Sequence, residues 1–221
     1  LEPQELSIKH DTLPDPIKGH IRVDRISFRY CENSPWVLKD ISFEIQSGEC
    51  VAITGVSGCG KTTLIKLILG LLKPTKGKIY IDDKDMSRLS INEYRSIFGC
   101  VMQQDTLLSG TLLENITMFD PQCNQERLQK CCRQAQILDD IAALPMGFYS
   151  LAGDMGNHFS GGQLQRIFLA RALYKSPKVL CLDEASSHLD IQNENAINQH
   201  IRQLNMTRLI IAHRQETILS A

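Results

Sequence analysis

The glycine-rich segment at residues 55–62 constrains the fold of this chain more than any other stretch. It reads GVSGCGKT and matches the pattern G-x-x-x-x-G-K-[ST]. That pattern is informative when a strand precedes it and a helix follows it. An apolar run at 50–54 and a helical pattern at 61–69 supply both neighbours. We therefore predict a phosphate-binding loop within an α/β fold; a chance glycine-rich turn is the alternative.

The residue types in this segment assign its roles. Gly55, Gly58 and Gly60 let backbone N–H groups wrap around phosphates. Lys61 is expected to reach the outer phosphates, and the Thr62 hydroxyl can hold Mg²⁺. The same loop and helix start contribute three further predicted nucleotide contacts, namely Ser57, Cys59 and Thr63.

Two adjacent carboxylates end a second apolar strand, in the sequence VLCLDE at 179–184. Ligands bind at the carboxyl ends of strands in α/β sheets. We predict that Asp183 binds Mg²⁺, directly or through water, and that Glu184 polarises the attacking water. An acidic pair that caps a helix is the alternative. The pair favours hydrolysis over phosphoryl transfer to a metabolite, since the sequence has no evident second substrate motif.

The segment FSGGQ at 159–163 is a second candidate phosphate-binding element. A hydroxyl and two glycines open a predicted helix that continues to residue 173, and the unpaired N–H groups and dipole of a helix start attract anions. A complete phosphate loop already lies about a hundred residues earlier. The chain therefore either binds two nucleotides or lends this element to a neighbouring molecule, and the second option fits better.

Composition excludes several classes of function. The 221 residues carry a net charge of -1, so no basic field points to nucleic acid or an anionic membrane surface. The longest apolar stretch, at 64–72, is interrupted by Lys66 and Gly70 and is too short to span a bilayer. The first residues are acidic and polar, which is unlike a signal peptide. The chain does not begin with Met, so we interpret it as a soluble piece of a longer protein.

The eight cysteines contain no C-x-x-C pair, and several lie in apolar runs. We interpret them as small buried residues in a reducing compartment rather than a disulfide framework or a metal site. Cys59 lies inside the phosphate loop and is not expected to be catalytic. Alkylation of its thiol is expected to inhibit nucleotide hydrolysis.

The remaining patterns predict the rest of the fold. Two antiparallel strands at 21–28 and 37–45 flank a turn, and 111–144 has the spacing of two or three short helices. Strands at 78–81, 100–102, 179–182 and 208–212, with helices at 92–98 and 191–204, imply a mostly parallel sheet. We predict an α/β P-loop NTPase core with a mostly parallel sheet, an antiparallel β subdomain and an inserted helical subdomain. The predicted boundaries are a linker at 1–18 and one ATPase domain at 19–221, with its core at about 19–104 and 160–221 and the helical part at about 105–159.

The phosphate loop, the FSGGQ segment and the Asp-Glu pair occur in an order and spacing that resemble the nucleotide-binding domain of an ABC transporter. The resemblance covers about residues 18–221 and implies ATP and Mg²⁺ as cofactors. It implies that Tyr30 stacks on adenine, against the alternative of a strand aromatic in the core. It also implies that Gln103, or the adjacent Gln104, contacts Mg²⁺ and senses the transport domain. His213 is implied to hydrogen-bond the terminal phosphate.

The same resemblance implies a head-to-tail dimer of two such domains. Each ATP would lie between the phosphate loop of one chain and the FSGGQ segment of the other, and Asp190 would lie in a loop that crosses to the second subunit. The segment contributes four predicted nucleotide contacts, namely Ser160, Gly161, Gly162 and Gln163. The two composite sites are equivalent in such a two-fold arrangement. ATP binding and hydrolysis would then drive a membrane-spanning partner.

Local segments indicate a branch of this family. GTLLENI at 110–116 is similar to exporters that carry a transport domain earlier on the same chain. Residues 144–156 and 205–214 resemble bacteriocin exporters of the colicin V secretion type, in which a cysteine-peptidase domain comes first. This resemblance implies peptide export, with the domain at the cytoplasmic face of a bacterial inner membrane. Phe159 and His188 depart from the family pattern, and the chain stops eight residues after His213.

Three other readings compete with a peptide exporter. One is another ABC exporter, for lipid, drug or protein. A second is a soluble ABC protein acting on DNA or ribosomes, which would carry tandem ATPase domains, coiled coils or basic extensions. A third is a regulatory module that binds nucleotide without hydrolysing it, and the presence of Glu184 argues against this one. We predict no nucleic-acid partner.

Overall fold

The computed structural model describes residues 11–153, 159–183, 204 and 206–211. The strands in these residues are β1 (Ile21–Phe28), β2 (Leu38–Ile45), β3 (Cys50–Ile53), β4 (Lys76–Ile81), β5 (Lys84–Asp85), β6 (Phe98–Val101), β7 (Gly110–Thr111), β8 (Leu151–Ala152), β9 (Val179–Asp183) and β10 (Thr207–Ile211). The α-helices are α1 (Lys61–Ile68), α2 (Ile91–Ser96), α3 (Leu112–Thr117), α4 (Gln125–Gln134), α5 (Leu138–Ala142) and α6 (Gly161–Tyr174). The predicted helix at 191–204 lies outside the described residues, except for its last residue.

An antiparallel sheet forms the first layer, in the order β2-β1-β4-β5. The predicted antiparallel pairing of the first two strands is confirmed, with Ile21 opposite Ile45. The short strand β5 was not predicted. It pairs with β4 after a two-residue turn at Asp82 and Asp83, which both have positive φ. Aspartate tolerates this backbone region, so the Asp-Asp pair was the available signal for a hairpin.

A parallel sheet forms the second layer, in the order β3-β10-β9-β6. Its strand β9 is buried along its whole length. Val179 and Cys181 pack into the cluster that contains α1, whereas Leu180 and Leu182 pack into the cluster that contains α3 and α6. Burial on both faces explains why this strand reads as an unbroken apolar run. The predicted α/β class with a parallel core sheet is confirmed.

The sixth strand begins earlier than its sequence indicates. Residues 92–98 were predicted as a helix leading to a strand at 100–102, but α2 ends at Ser96 and β6 starts at Phe98. Phe98 and Gly99 pair with β9 instead of continuing the helix. A side chain at Gly99 would come within 2.8 Å of the Ala172 carbonyl oxygen, so only glycine lets the strand approach α6 this closely.

Three short helices, α3, α4 and α5, occupy the region predicted to hold two or three. The first two pack against α6. The N-terminus of α3 is closed by reciprocal hydrogen bonds between Thr111 and Glu114, a capping box. Leu128 on α4 shares an apolar cluster with Leu180 of the parallel sheet. The inserted helices therefore form one core with the sheet, and the domain boundaries stay predictions.

The burial predicted for the cysteines is partly wrong. Cys131, Cys132 and Cys181 are buried, but Cys31, Cys59 and Cys100 are exposed, and all eight are free thiols. Two of the exposed cysteines lie in loops. Cys100 lies on β6, the strand at one end of the parallel sheet, which among the described strands pairs only with β9. Of the helices in the described chain, none has the length and apolarity that crossing a bilayer needs.

Candidate functional site

Three of the predicted motifs meet at the carboxyl edge of the parallel sheet. Ile53, the last residue of β3, is level with Ile211 of β10, which is level with Asp183 of β9. Leu182 of β9 is in turn level with Val101, the last residue of β6. The phosphate loop, Asp183 and the segment containing Gln103 therefore leave the sheet on the same side, where ligands bind in α/β folds.

The phosphate loop turns sharply between β3 and α1. Gly58 and Gly60 adopt the left-handed backbone region, with φ of 78° and 100°. A side chain at Gly60 would approach Leu38 Cδ2 at 3.0 Å, so both the φ angle and the packing require glycine. Gly60 is the N-cap of α1 and the first turn holds no acidic residue. Unpaired N–H groups at such a helix start favour a bound anion.

Lys61 folds back across this loop. Its Nζ atom donates hydrogen bonds to the carbonyl oxygens of Gly55 at 2.9 Å and of Val56 at 3.0 Å. The residue is 8% exposed. The ammonium group is therefore held in place by the loop that it is predicted to serve, and its remaining donor capacity is available for a phosphate oxygen.

A cleft of about 360 Å³ opens beside the loop. Its lining in the described chain consists of Tyr30, Val37, Ser57, Gly58, Gly60, Lys61, Thr62, Thr63 and Gln103. Most of these residues were predicted nucleotide contacts, and Val37 is an addition that sequence reasoning missed. Gln103 lines the cleft, which favours it over Gln104 as the predicted metal contact. The thiol of Cys59 lies in the same loop, facing Gly55.

Tyr30 forms the aromatic wall of this cleft. It is 60% exposed, which rules out the alternative of a core aromatic. Its hydroxyl lies 3.1 Å from Thr63 Oγ1 on α1, and its ring meets Phe28 edge-on with centroids 5.0 Å apart. An exposed and anchored ring can stack on a nucleobase. Stacking on adenine stays a prediction for Tyr30.

Replacing Tyr30 by alanine is expected to weaken ATP binding by about tenfold, because base–aromatic stacking contributes about 1–3 kcal/mol. Tyr30→Phe keeps the ring and loses only the hydrogen bond to Thr63, so it should cost at most about threefold. Trp36, the single tryptophan, adjoins the cleft residue Val37, and its fluorescence can report binding. Equal losses from the two variants would contradict a stacking role.

The predicted Mg²⁺ ligands supply suitable donors. Thr62 offers a hydroxyl, Gln103 an amide oxygen, and Asp183 a carboxylate that is 2% exposed at the end of β9. Mg²⁺ is bound by one or two carboxylates together with substrate phosphates and water. The described chain holds no cluster of three or more His, Cys, Asp or Glu side chains. This donor set therefore fits a metal whose shell is completed by a nucleotide.

The start of α6 carries the second predicted phosphate-binding element. Ser160 caps the helix: its Oγ accepts from Gln163 N at 3.2 Å, and Gln163 Oε1 accepts from Ser160 N at 3.0 Å. Gln163 Nε2 also donates to Asp140 on α5 at 2.9 Å, and Arg166 forms an ion pair with the same carboxylate. The amide of Gln163 is thus bound within the chain. It positions the helix start, a role that sequence reasoning did not assign.

The surface at this helix start faces outward. Ser160 and Gly161 are exposed, whereas the described lining of the nucleotide cleft comes from residues 30–103. No residue of the FSGGQ segment is thus among the described residues that line the cleft. Glu184, Asp190 and His213 lie outside the described residues, so their roles stay predictions.

Comparison with known proteins identifies the family. The model of the ABC transporter family matches residues 38–187, well over half of the chain. The chain is 42% identical over 98% of its length to a probable microcin secretion/processing ATP-binding protein of Escherichia coli, MchF. It is 43% identical over 90% of its length to the colicin V secretion/processing ATP-binding protein CvaB of Escherichia coli. It covers 31% and 28% of those two proteins, so it spans about a third of their length.

A solved structure agrees with these matches. A bacterial Atm1-family ABC exporter with ATP bound superposes on this chain with a TM-score of 0.84. Its sequence identity is 32%, over 97% of this chain and 39% of that one. The chain belongs to the ABC transporter family. Within that family it is similar to the ATP-binding part of an exporter structure and of bacteriocin and toxin secretion proteins.

Proposed function

We propose that this chain binds and hydrolyses ATP to power export of a bacteriocin-like peptide across a bacterial inner membrane. The observation that carries the ATPase part is the convergence of the phosphate loop, Gln103 and Asp183 at one sheet edge beside a cleft. The peptide cargo is supported by the names of the microcin and colicin V secretion relatives. An exporter of lipid, drug or another protein is the alternative.

Each residue around the cleft has a separate role in hydrolysis. Lys61 and the N–H groups at the start of α1 bind and orient the outer phosphates, and Tyr30 holds the base. Thr62, Gln103 and Asp183 would hold Mg²⁺, which neutralises charge that develops on the phosphate oxygens. By their place in the sequence, Glu184 accepts a proton from the attacking water and His213 donates a hydrogen bond to the terminal phosphate.

The exposed start of α6 supports a site shared between two chains. Ser160 and Gly161 are exposed at a helix N-terminus, and neither is among the described residues that line the cleft of their own molecule. A second copy would place this surface against the nucleotide bound by the first, and Asp190 would lie at the same contact. A two-fold arrangement gives two such sites per dimer. ATP then joins the two copies, and hydrolysis separates them.

The membrane partner is a transport domain on the same polypeptide. The relatives are about three times the length of this chain, which leaves room for such a domain. This places the ATPase at the cytoplasmic face of the inner membrane, with the peptide contacting the other domains. The net charge of -1 supports the absence of a nucleic-acid partner.

Phosphate release from ATP tests the ATPase proposal directly. We expect hydrolysis that requires Mg²⁺ and stops when the metal is chelated. Among the described residues that line the cleft, Lys61 is the one positively charged side chain, so Mg²⁺ is needed to neutralise the phosphates. Binding of ATP without any phosphate release under Mg²⁺ would favour a regulatory module instead.

A further inference from the structure

The segment between β6 and α3 begins with the turn that holds Gln103. Asp105 N donates to the Met102 carbonyl oxygen at 3.1 Å, and Met102 N donates to Asp105 Oδ2 at 3.0 Å. These two bonds close the turn at both ends and leave Gln103 at the cleft. The position of this turn then depends on what holds the residues that follow it.

Asn115 on α3 holds the chain that follows. It is completely buried, at 0% exposure. Its Oδ1 accepts from Leu108 N at 2.8 Å, and its Nδ2 donates to the carbonyl oxygens of Leu108 at 2.9 Å and Thr111 at 3.0 Å. A buried amide is costly unless its groups are hydrogen-bonded, and here both groups are used on one segment of main chain. Asn115 therefore fixes residues 108–111.

Arg171 on α6 bonds to Asn115 itself and to the main chain at Thr106, just before that segment. Its Nε donates to the Asn115 carbonyl oxygen at 2.9 Å and its Nη2 to Asn115 Oδ1 at 3.0 Å. Its Nη1 donates to the Thr106 carbonyl oxygen at 3.3 Å. Burial lowers the pKa of this guanidinium. The planar fork of arginine reaches three acceptors at once, which the single ammonium of lysine does not reproduce.

Helix α6 thereby links the FSGGQ segment to the chain that follows Gln103. Ser160 caps its first turn, and Arg171 lies in its last turn. These positions are about 16 Å apart along a straight helix, at 1.5 Å per residue. A shift of α6 would therefore act through Arg171 on the main chain at Thr106, three residues after Gln103.

We propose that Asn115 and Arg171 are positioning residues that hold the Gln103 turn at the nucleotide cleft and couple it to α6. The proposal rests on the proposed role of Gln103 as a Mg²⁺ contact in this ATPase. It adds a link within one chain between the metal side of its own cleft and the helix whose start serves the partner's nucleotide. The link consists of five hydrogen bonds to main-chain groups and one between the two side chains.

The substitution Arg171→Lys tests the link through Mg²⁺. The Mg²⁺ concentration for half-maximal ATP hydrolysis should rise by at least about fivefold, because a small displacement of a positioned group has large kinetic effects. Binding of ATP without Mg²⁺, followed by Trp36 fluorescence, should stay within about twofold, since the phosphate loop is untouched. Arg133→Lys on α4 is the matched control, because Arg133 is exposed and contacts Gln129 on its own helix. Equal Mg²⁺ requirements for the two variants would overturn the proposal.

A double substitution asks whether Arg171 acts through Gln103. Gln103→Ala alone should raise the Mg²⁺ requirement, and Arg171→Lys should add less than about twofold in that background. If the increases in Mg²⁺ requirement from the two substitutions multiply in the double variant, Arg171 acts independently of Gln103, and the link to Gln103 is overturned.

Amide hydrogen exchange separates this proposal from the ATPase proposal. The Leu108 N–H donates to Asn115, so its exchange should become about tenfold faster in Arg171→Lys and stay unchanged in Arg133→Lys. Unchanged exchange at Leu108 would overturn the proposed positioning role of Arg171. A native chain that releases no phosphate would refute the ATPase function, and the exchange result would still decide whether Arg171 holds this segment.

Discussion

Replacing Lys61 by methionine is expected to lower ATP hydrolysis by at least about 100-fold, the cost of losing one preorganised electrostatic group in an active site. The Nζ atom lies in the phosphate loop, 2.9 Å from the Gly55 carbonyl oxygen, in a residue that is only 8% exposed. Methionine keeps an unbranched side chain of similar length but removes the charge that faces the phosphates. Phosphate release at saturating Mg²⁺ and ATP gives the measurement.

Lys66→Met supplies the control for this loss. Lys66 lies in the last turn of the same helix, away from the cleft lining. The Lys66→Met variant should hydrolyse ATP at a rate within about twofold of that of the native chain, because surface substitutions away from a site have small effects. If Lys61→Met kept a third or more of the native rate, the phosphate loop would not be the catalytic site.

Glu184→Gln is expected to lower turnover by about 1,000-fold while ATP binding persists, because general-base catalysis contributes about 10²–10⁴ in rate. Glutamine keeps the shape of the side chain and loses its basicity. Trapped ATP should then hold two copies together, so the variant should form a dimer with ATP and Mg²⁺. Phosphate release measures the first effect, and size-exclusion chromatography with ATP measures the second.

Glu126→Gln on the exposed first turn of α4 makes the same chemical change elsewhere. It should hydrolyse ATP at the native rate and remain monomeric after turnover. Native turnover in Glu184→Gln would refute the base role. Loss of turnover without a dimer would leave the base role and refute ATP as the group that joins the two copies.

The phosphate loop and β9 could be predicted because their signals are local. The loop is a continuous motif between a strand and a helix, and β9 is a buried apolar run that ends in Asp183. The antiparallel pair β1 and β2 alternates clearly enough to be predicted as well. In each case the sequence neighbours of a residue determine its environment.

Other features depend on contacts far apart in the chain. The start of β6 was missed because pairing with β9, about 80 residues later, overrides a local helical pattern. Asn115 and Arg171 were missed because each is an ordinary helix residue until tertiary packing brings them together, 56 residues apart. The burial of the cysteines was overestimated because residues in loops follow no hydrophobic periodicity from which their exposure could be predicted.

The role of the FSGGQ segment is the hardest to predict from neighbouring residues, because it depends on a second molecule. Its residues cap a helix through bonds within one chain, and the exposed Ser160 and Gly161 gain a ligand only when a second molecule is present. Sequence order relative to the phosphate loop indicated this sharing. The exposure of Ser160 and Gly161 is compatible with this sharing, and the shared site stays a proposal.

Mixing two inactive variants tests the shared site most directly. Ser160→Asp keeps a good helix cap but places a negative charge where the partner's ATP phosphates would lie, and Lys61→Met disables the phosphate loop. Asn124→Asp, at the cap of α4, is the matched control for the added cap charge and should stay active. Each of the first two variants alone should be nearly inactive.

In an equal mixture, half of the dimers pair the two variants, and each such dimer has one site built from a native phosphate loop and a native Ser160. We predict that the mixture hydrolyses ATP several-fold faster than either variant alone, up to about a quarter of the native rate. A rate equal to the average of the two separate variants would contradict a site shared between chains.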